Sequence, residues 1–188
     1  IKVLDKKPSN IGPDVLPEKC EFKIDGNNQI WKGARRVFAG LATDSEIKAE
    51  KRVVCRGGFV YAGLSTGELV KVRASDGELM WTADIFTGHA PAGGSPFLDI
   101  IAAPVYSGGF VYAGGLGGAF CKIRDKDGSK AWCLPVGVQE ILRQTKNFSF
   151  ILTTGNDLLA VSADGGVYIR EKVGDDENAR DKLRGIVE

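Results

Sequence analysis

The sequence has no excess of charge of either sign and no long apolar run. It contains 25 Lys and Arg against 24 Asp and Glu, a formal net charge of +1 over 188 residues, so no global field favours nucleic acid or an anionic membrane as partner. A membrane-spanning helix needs roughly 18 consecutive apolar residues, and residues 1–10 hold no segment of the signal-peptide type. We therefore expect protein partners, no nucleic acid, and at most a peripheral contact with a membrane.

Residue types that support catalysis or metal binding are also scarce. His89 is the single histidine, and no serine or cysteine stands in a G-x-S-x-G motif. The cysteines lack the spacing of zinc ligands. The glycine-rich segment 114–118 precedes a β-type run, whereas a phosphate site of the known kinds needs a following helix. We assign no catalytic residue, no metal and no cofactor, and predict that the protein is not an enzyme.

Glycine is abundant instead, and it marks an internal repeat. Its 25 residues are roughly twice the average usage. Val54–Trp81 and Val105–Trp132 align without a gap at an offset of 51, with 14 of 28 positions identical. A third, weaker copy occupies Phe150–Ile169, and Phe22–Trp31 is read as a half copy that ends on the same tryptophan. Repetition at this period is typical of stacked supersecondary units.

Each unit has the pattern of a short antiparallel meander. Phe59–Ala62 is a continuous β-type run after a Gly-Gly turn, and Asp76-Gly77 predicts a hairpin. Between them, residues 69–73 alternate, which places Val70 and Val72 inward and Lys71 and Arg73 outward, where they would keep the surface soluble. Such a unit cannot bury both of its faces alone, so the units must stack.

These residues resemble the pyrroloquinoline-quinone-like (quinoprotein-type) propeller repeat, in the form Phe-Val-Tyr-Ala-Gly followed by Lys, Arg, Asp-Gly and Trp. The resemblance implies an all-β propeller, here about three and a half blades of a larger, eight-bladed ring. We expect an extended linker at 1–19, a partial blade at 20–32, blades at about 40–88, 99–138 and 139–173, and a charged tail at 174–188. The recurring tryptophans would dock adjacent blades: Trp31, Trp81 and Trp132.

Within this repeat family the order of motifs is most similar to the propeller subunit of the outer-membrane β-barrel assembly complex (BamB-like). That resemblance implies a non-enzymatic, periplasmic scaffold at the outer membrane that binds the barrel-forming subunit. The alternative is a fragment of a quinoprotein dehydrogenase, a family that holds its quinone against a pair of adjacent cysteines with a calcium ion. The chain has no adjacent cysteines, which disfavours this alternative.

The long connection at residues 82–103 is the predicted partner-binding segment, because long loops in compact folds are often functional. By resemblance, Asp99 matches an acidic residue that contacts the barrel subunit, while Ile101 stands where a second acidic residue is expected. Phe86, Phe97 and Leu98 flank the same loop and would form the apolar part of the interface, and His89 would be a solvated or contact residue of its glycine-rich stretch. Packing of the loop onto its own blade is the alternative for the apolar residues.

Four cysteines permit two disulfides in three pairings. Cys121 takes the repeat position of Val70, which suits a buried free thiol. It would face Trp132 across the hairpin, and a one-residue shift of register would bring it opposite Cys133, so a Cys121–Cys133 bridge is the other possibility. Cys20 follows a charged segment, which is unlike a lipid-attachment site, and the chain could self-associate or join another chain to complete the ring.

Overall fold

The described part of the chain is entirely β-structure. The computed structural model describes residues 18–43, 53–86 and 97–173, which form four antiparallel sheets. No helix in these ranges has the length and apolar character needed to cross a membrane. The four sheets follow one another along the chain, as expected for successive propeller blades.

The first two sheets are made by residues 22–84. The first sheet has three strands, in the order β1-β2-β3: β1 (Phe22–Ile24), β2 (Gln29–Lys32) and β3 (Arg35–Ala39). The second sheet has four, in the order β4-β5-β6-β7: β4 (Val53–Arg56), β5 (Phe59–Gly63), β6 (Glu68–Arg73) and β7 (Leu79–Asp84).

The third and fourth sheets repeat this meander. The third sheet contains β8 (Val105–Ser107), β9 (Phe110–Gly114), β10 (Phe120–Arg124) and β11 (Lys130–Leu134). The fourth contains β12 (Val138–Gln144), β13 (Phe148–Thr153), β14 (Asp157–Ser162) and β15 (Val167–Lys172). The first sheet therefore includes a strand, β3, beyond the half copy expected at residues 20–32.

The core lies between sheets, because each inner sheet buries both faces. In the second sheet, Val60 and Val72 pack against the first sheet, while Tyr61 and Leu69 pack against the third. A further apolar cluster joins the third sheet to the fourth. Alternate residues of one strand thus serve two different interfaces, which is why β5 and β9 read as continuous apolar runs.

This arrangement corrects the expected orientation of Lys71. Its neighbours in sequence face the first sheet as predicted, but the opposite face of β6 is covered by the third sheet, so Lys71 is only 6% exposed. The alternation was correct, and the assumption that one of the two faces meets solvent was wrong.

A β-bulge recurs in the last strand of the repeated sheets. Trp81 pairs with Lys71 but Leu79 with Val72, so Met80 is the extra residue. The third sheet shows the same shift, with Lys122 opposite Trp132 and Ile123 opposite Lys130, and the fourth sheet has a corresponding irregularity beside Ile169. The bulge turns the aromatic residue onto the face that carries the lysine.

Trp31 does not occupy the position of the other two tryptophans. It lies in β2, a middle strand, and its indole N–H donates to the Asp25 carboxylate of the same sheet at 2.8 Å. The expectation that it ends a repeat and docks the next blade is therefore corrected: the hydrogen bond of Trp31 stays within its own sheet.

Candidate functional site

Asp125, at the end of β10, receives the contacts of the second sheet. Its carboxylate accepts a hydrogen bond from the Tyr61 hydroxyl at 2.7 Å and an ion pair from Lys71 Nζ at 2.7 Å. Its carbonyl accepts from Trp81 Nε1 at 2.8 Å. The Lys71 ammonium also lies 4.2 Å from the centre of the Phe59 ring. Three side chains from three strands of one sheet thus converge on a single residue of the next.

The third and fourth sheets meet in a simpler version of the same contact. Ala163 stands where the previous interface has Asp125, and its carbonyl accepts from Trp132 Nε1 at 2.9 Å and from Lys122 Nζ at 3.0 Å. Lys122 lies 4.2 Å from the Phe110 ring centre. The backbone carbonyl is therefore the shared acceptor, and the carboxylate is an addition found between the second and third sheets.

A glycine of the following hairpin lies beneath each of these tryptophans. A methyl group on Gly128 would lie 2.9 Å from the Trp81 ring, and one on Gly165 would lie 3.1 Å from the Trp132 ring. Both glycines have positive φ, 73° and 94°, a conformation that costs other residues energy. Glycine is thus needed in this turn for two reasons: the hairpin requires a positive φ, and the indole of the preceding sheet lies against the glycine.

Burial and hydrogen bonding shift the acidity of two groups in these sheets. Burial, with a smaller contribution from the hydrogen bond to Asp125, raises the pKa of the Tyr61 hydroxyl far above its ordinary value. The hydrogen bond from Arg170 lowers the pKa of Asp157, a buried carboxylate of β14. The first shift keeps Tyr61 a hydrogen-bond donor, and the second keeps Asp157 ionised for its two cations, Arg170 and Lys172.

All four cysteines are in disulfides. Cys121 bonds to Cys133, and the bulge supplies the one-residue shift that sets the two directly opposite each other. Cys20 bonds to Cys55 and joins the segment before β1 to β4. Nothing in the sequence favours the second pair, because its members lie 35 residues apart, one before the first sheet and the other in the second.

Asp99 is buried in its own blade. Its side chain is 1% exposed, and its carbonyl accepts from Leu116 N at 2.9 Å. This burial gives Asp99 a role within the fold, and its expected contact with a partner stays a prediction. His89 lies outside the described residues.

The apolar members of the predicted interface do gather at one end of the sheets. Leu98 covers Gly67 in the turn before β6, and the backbone of Phe86 lies beside Gly118 in the turn before β10. Phe97 is 46% exposed. Phe86 and Leu98 are half-buried. They therefore pack onto the sheets, which was one alternative for these residues, and still reach the surface, which the predicted interface requires.

Leu41 extends this surface and was missed by sequence reasoning. It is 74% exposed, and its carbonyl accepts from the buried Asn28 side chain at 2.7 Å. The same Asn28 side chain accepts from Ser65 N in the turn before β6 at 2.9 Å. We call Leu41, Phe86, Phe97 and Leu98 the end surface. A lone leucine in the connection between β3 and β4 carries no motif, so nothing in the sequence could have singled it out.

Comparison with known families decides the relationship of this chain. A family model described as outer membrane protein assembly factor BamB matches residues 22–180. The chain belongs to the BamB family. Comparison with curated protein sequences gives no match.

Solved structures agree on the fold. BamB from Moraxella catarrhalis matches with a TM-score of 0.57 and 14% identity, over 84% of this chain and 51% of that one. Quinohemoprotein alcohol dehydrogenase from Comamonas testosteroni matches with a TM-score of 0.56 and 13% identity, over 80% and 33%. Saccharomyces cerevisiae Sqt1 matches with a TM-score of 0.58 and 11% identity, over 79% and 43%. The chain spans about half the length of the BamB structure, and at these identities the likeness shows the fold alone.

The residues present do not fit the quinone and calcium ion that the dehydrogenase resemblance implies. Both disulfides join cysteines distant in sequence. The Trp81 and Trp132 indoles are held between sheets by hydrogen bonds to the next sheet, and a glycine of that sheet lies against one face of each ring. Among the described residues there is also no group of three or more His, Cys, Asp or Glu able to hold a metal ion.

Proposed function

We propose that this chain is part of a non-enzymatic scaffold that binds other proteins during the assembly of β-barrels into the bacterial outer membrane. The observation that carries the proposal is the match of the BamB family model to residues 22–180. The architecture supports it, because sheets joined by repeated hydrogen-bonded contacts present the turns between their strands on a rigid support. The two disulfides support an oxidising compartment such as the periplasm.

The end surface is the proposed contact with the barrel-forming subunit. Exposed apolar side chains gathered at one place on a soluble fold favour a protein interface, and aromatic side chains contribute strongly to such interfaces. Phe97 and Leu41 are the most exposed members, at 46% and 74%. Asp99 is not included, since its burial makes any substitution there a test of folding and not of binding.

The test is a pull-down of the barrel-forming subunit with the variants Leu41→Glu and Phe97→Glu. Met80→Glu is the matched control, because Met80 is also exposed, at 40%, and lies in β7 away from the end surface. We expect Leu41→Glu and Phe97→Glu each to weaken capture at least tenfold, and Met80→Glu to leave it unchanged, with all three circular dichroism spectra like that of the parent. Undiminished capture by both end-surface variants would remove the proposed contact.

A further inference from the structure

The first sheet is the smallest of the four and has a covalent link to its neighbour. It has three strands of three to five residues and contributes two buried apolar residues, Phe22 at 8% exposure and Ile30 at 0%, to the cluster that it shares with the second sheet. The Cys20–Cys55 disulfide crosses this same boundary. The other disulfide lies within one sheet, between directly paired residues of β10 and β11.

Few polar contacts accompany the Cys20–Cys55 bridge. The Glu18 carboxylate accepts from Gly57 N at 3.2 Å and lies 3.8 Å from Arg56, and these groups are exposed. Exposed ion pairs contribute little to stability. At the other end of β1, a buried hydrogen bond joins the first sheet to the second: Ser65 N donates to the Asn28 side chain at 2.9 Å. The disulfide is therefore the main link between the start of the first sheet and β4.

The two disulfides differ in access to solvent. Cys20 and Cys55 are both half-buried. In the other bridge Cys133 is half-buried as well, but Cys121 is 0% exposed and belongs to the cluster between the second and third sheets, so that bridge has one sulfur open to attack where Cys20–Cys55 has two. Thiol–disulfide exchange requires a thiolate to reach a sulfur atom along the S–S axis. A reductant therefore reaches Cys20–Cys55 in the folded protein before it reaches Cys121–Cys133.

We propose that the Cys20–Cys55 bridge is a redox-sensitive latch that holds the first sheet onto the second. A dithiol reductant attacks one sulfur of the bridge, the S–S bond breaks, and the second thiol of the reductant resolves the mixed disulfide. Two electrons pass to the protein, Cys20 and Cys55 leave as thiols, and the reductant becomes a cyclic disulfide. The first sheet then opens independently of the other three, while Cys121–Cys133 stays oxidised. This inference does not depend on the proposed function.

The experiment combines alkylation with hydrogen exchange on the full chain. The oxidised protein is titrated with dithiothreitol under native conditions, trapped with iodoacetamide, and mapped by mass spectrometry. We expect Cys20 and Cys55 to be alkylated first, with Cys121 and Cys133 still bonded. At that stage amide exchange in β1 and β2 should rise at least tenfold, with β9 and β10 unchanged. The paired variant Cys20→Ser with Cys55→Ser should show the same pattern without reductant.

The third-sheet bridge supplies the matched control. The pair Cys121→Ser with Cys133→Ser should leave exchange in β1 and β2 unchanged. The latch is overturned if both disulfides are reduced together or in the opposite order, or if β1 and β2 keep their slow exchange after Cys20 and Cys55 are alkylated. Titration of the folded, oxidised protein decides the matter even where a serine variant fails to fold.

Discussion

Replacing Asp125 with alanine should destabilise the fold strongly, because it removes the carboxylate on which the second sheet converges. The Lys71 side chain is 8% exposed and that of Asp125 22%. Removing one partner of a buried ion pair costs about 3–5 kcal/mol. Lys71 would keep the carbonyl of residue 125 and the Phe59 ring, which favours the lower end, and the Tyr61 hydroxyl loses an acceptor worth about 1 kcal/mol. We expect a loss of about 3–4 kcal/mol in the free energy of unfolding.

A double-mutant cycle separates the charge from the packing. Lys71→Met alone leaves the Asp125 carboxylate without its counter-ion, but that side chain is 22% exposed and keeps its hydrogen bond from Tyr61, so we expect a smaller loss of about 2 kcal/mol. Asp125→Ala with Lys71→Met removes the stranded ammonium, so the pair should be about 2 kcal/mol more stable than Asp125→Ala alone. Lys122→Met is the matched control: Lys122 bonds a carbonyl and not a carboxylate, so its loss should cost about 1 kcal/mol or less.

The assay is urea unfolding followed by tryptophan fluorescence, with the free energy extrapolated to water. Trp81 and Trp132 report on the two contacts in question. If Asp125→Ala costs under about 1 kcal/mol, or if adding Lys71→Met brings no recovery, then the buried charge is not what makes Asp125 important, and the reasoning fails.

Three further predictions concern single groups. Gly128→Ala should lower the free energy of unfolding more than Gly57→Ala does. Both glycines have positive φ, which alone predicts a loss of about 1–2 kcal/mol, but a methyl group on Gly128 meets Trp81 and one on Gly57 meets nothing. Equal unfolding midpoints in urea for the two variants would contradict this. Burial raises the pKa of the Tyr61 hydroxyl. The neutral hydroxyl therefore stabilises the fold fully below the unfolded pKa of about 10, and this contribution is lost as the pH rises above that value. The free energy of unfolding should fall less at alkaline pH in Tyr61→Phe than in the parent. The hydrogen bond from Arg170 lowers the pKa of Asp157, so the stability that Asp157 contributes is present above the unfolded pKa of about 4 and is lost as the pH falls through the folded value. Asp157→Asn should therefore reduce the fall in the free energy of unfolding at acid pH. An unchanged dependence of that free energy on pH would argue against this ion pair.

The repeat allowed much of the architecture to be predicted. The Gly-Gly and Asp-Gly turns fixed where strands begin and end, and the aligned tryptophans indicated the docking positions of Trp81 and Trp132. Both indoles do contact the following sheet. These features were visible because they are local, or because two copies of the same unit repeat them.

What was missed depends on contacts between different sheets. Lys71 was placed outward because a single sheet has an exposed face, and the neighbour that covers that face is not visible in its own strand. Trp31 was aligned by residue type, although its strand has the position of a middle strand. Asp99 is assigned to the partner contact by family resemblance, and a match of residue type carries no information on its burial in this chain. Cys20–Cys55 joins two sheets and has no counterpart elsewhere in the repeat.

The contacts that join the second, third and fourth sheets have a direction: one side supplies an indole and an ammonium group, the other a carbonyl and a glycine. The third sheet carries both halves, with Trp132 and Lys122 for its successor and Asp125 and Gly128 for its predecessor. A gene that gains or loses one whole blade therefore keeps compatible neighbours at the new junction. Compatibility is still graded, since a blade with alanine at the Asp125 position would leave the ammonium of Lys71 without its counter-ion, and this restricts which blades evolution can interchange.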